Sequence, residues 1–89
     1  MSNARAAVEG VLPSVRSDLE KLVRIRSVSA DPAAAADIRA SADAVAELAH
    51  GAGAAGVEIL SVDGGAPAVI ARWPALAGSQ TVLLYAHHD

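Results

Sequence analysis

Apolar residues recur at three- and four-residue steps through residues 11–26, at Leu12, Val15, Leu19, Leu22 and Val23, while Arg16, Glu20, Lys21 and Arg24 fill the other side. That period predicts an amphipathic surface helix. Pro13 suits its first turn, where the missing N–H costs nothing. Ser27 to Ala30 reads as a short loop, and Asp31-Pro32 as an N-cap followed by proline at the first helical position. The alanine-rich segment beyond it predicts a second helix to about His50. Its buried stripe would be Ile38, Ala42, Val45 and Ala49, widened by Leu48. Gly51 or Gly53 is expected to end it.

Three strands are expected next. Gly56 to Val62 carries Val57, Ile59 and Val62 and closes on the turn signal Asp63-Gly64-Gly65. Ala68 to Trp73 is stopped by Pro74. Thr81 to Ala86 holds the unbroken run Val82-Leu83-Leu84-Tyr85, which predicts a central strand covered on both faces. The order of two helices then three strands resembles the opening of a layered α/β domain and not a whole one.

Composition sharpens that reading. The chain has 89 residues and 53% hydrophobic positions, but 22 of these are alanine, and Trp73 and Tyr85 are the only aromatics. Little large apolar surface is left to bury, and no cysteine can staple the fold. Seven Lys+Arg against ten Asp+Glu give a net charge of −3, which argues against a nucleic-acid or anionic-membrane partner. No apolar block of signal-peptide length opens the chain, and no run is long enough to span a bilayer. A cytoplasmic location is expected.

Three motifs bear on chemistry. Gly51-Ala52-Gly53-Ala54-Ala55-Gly56 satisfies G-x-G-x-x-G. A dinucleotide fingerprint must follow a strand and open a helix, whereas these glycines follow a helix and open a strand. They are read as a turn. Arg16, Lys21, Arg24 and Arg26 are interleaved with Asp18 and Glu20 and read as a solvated helix face. The third motif is Tyr85-Ala86-His87-His88-Asp89, where an apolar run leads into two imidazoles and a carboxylate. Extended geometry would send His87 and Asp89 to one side and His88 to the other. A carboxylate two residues from an imidazole can fix one ring nitrogen while the other faces a metal.

The segment Tyr85-Ala86-His87-His88-Asp89 resembles the first metal-binding segment, L-L-Y-G-H-x-D-V-x-P, of the co-catalytic zinc exopeptidases related to aminoacylase, carnosinase-type dipeptidases and glutamate carboxypeptidase. Upstream, Leu22-Val23-Arg24-Ile25-Arg26-Ser27-Val28-Ser29 resembles that family's L-V-x-I-P-S-V-S. The two segments stand in the family's order, and the likeness is greatest to its dipeptidase-like branch. Arg26 replaces the usual Pro, and Ala86 replaces the common Gly.

The resemblance implies an α/β fold, with residues 1–89 the incomplete N-terminal part of a three-layer mixed-sheet zinc exopeptidase catalytic domain. It implies that His87 is a metal ligand and that Asp89 is the catalytic carboxylate that orients and polarises it. His88 stands at a variable position. In the intact enzyme two zinc ions, or other divalent metals, would activate a bridging water for attack on the amide of a dipeptide or N-acylated amino acid. A homodimeric intact enzyme is compatible with the resemblance. The general-base Glu and the remaining ligands have no counterpart in residues 1–89, so this chain is expected to be inactive alone. The alternative is a small non-enzymatic α/β binding or scaffolding module whose His-x-Asp is coincidental.

Overall fold

The computed structural model describes residues 3–89, in which two helices precede a two-stranded antiparallel sheet. Helix α1 spans Ala4–Arg24, and a single 3-10 turn at Pro32–Ala34 leads into α2, Ala35–Gly51. Strand β1 is Gly56–Leu60 and β2 is Ala68–Arg72. No helix among the described residues is long and apolar enough to cross a membrane.

Helix α1 starts seven residues earlier than its apolar period suggests. Ala4, Ala6 and Ala7 favour helix intrinsically, and Arg5 lies 3.8 Å from Glu9 one turn on. Pro13 consequently sits inside the helix and not in its first turn, leaving the Glu9 carbonyl without its usual donor. The Ser14 hydroxyl donates to the Val11 carbonyl at 2.8 Å beside this break. The helix ends at Ile25, whose extended ψ of 124° turns the chain away.

The start of α2 follows from Asp31. Its carboxylate accepts from the Ala33 N–H at 2.9 Å, and Pro32 supplies a preset φ without an amide to satisfy. Ala34, Ile38 and Ala42 are the buried apolar residues. Val45 and Ala49 are half-buried, and Leu48 is exposed, so the stripe narrows toward the C-terminal end. Gly53 adopts φ +92° and closes the helix, and β1 begins at Gly56. The glycine-rich segment therefore is a helix-to-strand turn.

The hairpin runs in register from Gly56 opposite Arg72 to Leu60 opposite Ala68. Both strands are shorter than their apolar patterns suggest, stopping before Val62 and Trp73. Glu58 and Arg72 approach diagonally across it at 3.8 Å, and the Trp73 indole donates to the Ala52 carbonyl at 3.1 Å. Helix α2 packs against both strands, whereas α1 packs against α2 alone.

The third strand is absent. Residues 81–86 carry no strand geometry, and Val82, Leu83, Leu84 and Tyr85 are all about four-fifths or more exposed. A strand requires a neighbour to pair its backbone groups. Here β2 and Leu83–Ala86 both line a cavity of about 640 Å³, together with Ile38 and Val45, and the only strand pairing among the described residues is β1 with β2. The described residues thus form one helix on a hairpin with a second helix alongside, and neither a central strand nor three layers. The radius of gyration, 15.2 Å, exceeds the roughly 12 Å of a compact chain this long.

With so few buried side chains, each counts heavily. Ile38→Ala should cost about 2 kcal/mol, the low end for a core deletion because its surroundings are open. Asp31→Ala should cost about 1 kcal/mol through the lost cap. Urea titration followed by helical circular dichroism measures both.

Candidate metal-facing site at residues 85–89

Ser41 is fully buried on the inner face of α2, one residue from Ala42 and one turn from Ile38. A buried hydroxyl needs partners, and Ser41 finds them in His88. Its Oγ donates to the His88 carbonyl at 3.0 Å and lies 2.9 Å from His88 Nδ1. The hydroxyl has one hydrogen to give, so the second contact requires Nδ1–H to donate to Oγ. Ser27, in the loop after α1, also donates to the His88 carbonyl at 3.3 Å. Two serines thereby hold His88 from two sides.

This anchor sets the neighbours. With His88 turned inward onto Ser41, His87 and Asp89 meet each other instead. His87 Nδ1 lies 3.0 Å from Asp89 Oδ1. A hydrogen bond from the Ser29 side chain holds the Asp89 carboxyl below its ordinary pKa, assisted by the bond from His87 and by its own backbone. Asp89 is therefore an acceptor at neutral pH. His87 Nδ1–H donates to it, which leaves the Nε2 lone pair outward. Tyr85 takes that lone pair, its hydroxyl 3.1 Å from Nε2 and its ring edge-on at 5.5 Å.

The structure joins the two motif-bearing segments. Ser27 and Ser29 come from Leu22–Ser29, and both reach the 87–89 triplet. A cavity of about 460 Å³ between them is lined by Leu22, Ile25, Ser27, His87, His88 and Asp89. Ser41 is the side chain at this site that the sequence pattern did not single out. Its signal was a polar residue set within the apolar stripe of α2. Arg16, Lys21, Arg24 and Arg26 are all exposed, and Arg16 contacts Glu20 at 3.4 Å, as a solvated face should.

The donor set does not amount to a zinc site. A catalytic zinc takes three protein ligands, and among the described residues no group of three His, Cys, Asp or Glu could hold a metal. His87 offers one nitrogen, Asp89 stands behind it, and His88 is turned away onto Ser41. No protein-family model, no curated protein and no solved structure matches the chain.

Two measurements check this geometry. Ser41→Ala leaves the His88 Nδ1–H without its partner and the His88 carbonyl with Ser27 alone, at a cost of about 1–3 kcal/mol, and should loosen residues 87–89. The His88 imidazole resonances should then move to random-coil positions. Asp89 gives the pH dependence: its pKa is lowered on folding, so its stabilising contribution is present above the unfolded value and is lost as pH falls through the lowered one. Carboxyl NMR should show Asp89 titrating below its ordinary value, and Ser29→Ala should raise its midpoint.

Proposed function

We propose that residues 1–89 are the N-terminal part of a cytoplasmic zinc-dependent hydrolase acting on amide bonds of dipeptides or N-acylated amino acids. Within it, His87 supplies one metal-facing imidazole and Asp89 orients that imidazole. The observation that carries this reading is the 3.0 Å pairing of His87 Nδ1 with Asp89 Oδ1. It fixes the tautomer and aims Nε2 outward, the arrangement found behind metal-bound histidines generally. The approach of Ser27 and Ser29 to the same triplet supports it further. It joins two segments that resemble that family separately and lie about sixty residues apart.

The chain by itself is expected to be inactive. One imidazole holds zinc weakly, and Tyr85 covers Nε2. The part played by residues 85–89 is to present one nitrogen in a fixed direction.

Calorimetric titration of the 89-residue chain with zinc should give micromolar or weaker binding that His87→Ala removes, while nanomolar one-to-one binding would contradict the assignment. Expression of the reading frame continued beyond codon 89 should yield metal-dependent hydrolysis of dipeptides or N-acylated amino acids. In that product His87→Ala should abolish turnover, and Asp89→Ala should lower it roughly 10–100-fold. A continued product without such activity, or a stop codon at that point, sinks the reading in favour of a binding module.

A further inference from the structure

Helix α1 leaves an apolar stripe bare. Val8, Leu12, Val15 and Leu19 are all half-exposed or more, and no residue of the helix is buried. Together with half-buried Leu22 they follow alternating four- and three-residue steps, the d and a positions of a heptad. Val8, Val15 and Leu22 fall at d, and Leu12 and Leu19 at a. Leu22 lines the chain's own cavities, so the seam open to a second helix runs from Val8 to Leu19, roughly 16 Å at 1.5 Å per residue. Pro13 falls at b, away from it.

The flanking charges select an orientation. Glu9 and Arg16 occupy the e positions, with Val11 and Asp18 at g. Two parallel copies would set each g residue against the next e of the other, pairing Ala4 with Glu9, Val11 with Arg16 and Asp18 with Val23. No opposite charges meet. Two antiparallel copies, with Leu12 facing Val15 and Val8 facing Leu19, bring e against e. Glu9 of each copy then faces Arg16 of the other, twice over. The arrangement is two-fold symmetric, so one patch serves both copies.

We propose that α1 is a self-association surface that pairs antiparallel with α1 of a second copy of this chain, centred between Leu12 and Val15. The seam supplies the affinity. The two Glu9–Arg16 contacts are exposed and individually weak, and they set the direction of pairing. Glu9 and Arg16 already contact Arg5 and Glu20 within the helix, so pairing extends existing ion pairs into a network.

Sedimentation equilibrium of the 89-residue protein should show a monomer–dimer equilibrium with a dissociation constant on the order of 10–100 µM, as suits so short a seam. Arg16→Glu and Glu9→Arg should each weaken self-association about tenfold by turning two attractions into two repulsions. An equimolar mixture of the two variants should recover the original affinity, because each mixed pair sets two acids against two bases. The double variant E9R/R16E should self-associate like the original chain. Val15→Asp should give a monomer of unchanged helical circular dichroism. A wild-type chain that stays monomeric overturns the proposal. So does a mixture that binds no more tightly than the single variants, an outcome that would place association elsewhere, first at exposed Val82–Tyr85.

Discussion

The hydroxyl of Ser41 is the contact on which the rest of the site depends. It sits fully buried on α2, where an unpaired polar group is costly, and both of its contacts are to one residue, His88. Because the backbone carbonyl and the ring are held together, the peptide plane and the side-chain direction are fixed at once. Beside this residue, His87 and Asp89 pair with each other. Without that anchor, the end of an apolar segment with no pairing partner is held only by the loop serines Ser27 and Ser29.

Helix α2 is the element around which the chain is arranged. Its inner face carries Ile38 and Ala42 against the interior and Ser41 against His88, its C-terminal turn receives the Trp73 indole, and both strands lie on it. Alanine is what allows this. Ala34 and Ala42 let backbone approach closely while giving up no side-chain entropy, and they bury little area in return. The fold is therefore positioned more by hydrogen bonds than by a hydrophobic core. Loss of one polar contact should displace a segment instead of opening a cavity.

Local signals were legible where the cause is local. The Asp31-Pro32 start of α2, the glycine turn before β1 and the hairpin around Gly64 each follow from the conformational preference of one or two residues. So does the division of His87 and Asp89 from His88, which needs only extended backbone. What misled was periodicity without its surroundings. The apolar steps of α1 begin near Leu12, but alanines and the Arg5–Glu9 pair extend the helix back to Ala4. The run Val82–Tyr85 has the composition of a central strand, yet strandhood belongs to a ladder and not to a segment, and no described strand pairs with it. Ser41 escaped notice because its importance lies in a partner 47 positions away.

The distribution of satisfied and bare surface gives the chain its character. Its buried side-chain polar atoms are all partnered among the described residues, whereas its largest apolar residues, along α1 and from Val82 to Tyr85, face solvent. Hydrogen bonds are short-ranged and directional, so a small chain can complete them internally. Apolar burial grows with the area enclosed, and two helices beside one hairpin enclose little. Tyr85 shows both sides of this in one residue. Its ring is mostly bare, yet its hydroxyl occupies the one nitrogen of His87 that Asp89 leaves free. The imidazole is thus oriented by the carboxylate behind it and covered by the phenol in front. Covering and uncovering that nitrogen requires rotation of one side chain that is mostly exposed.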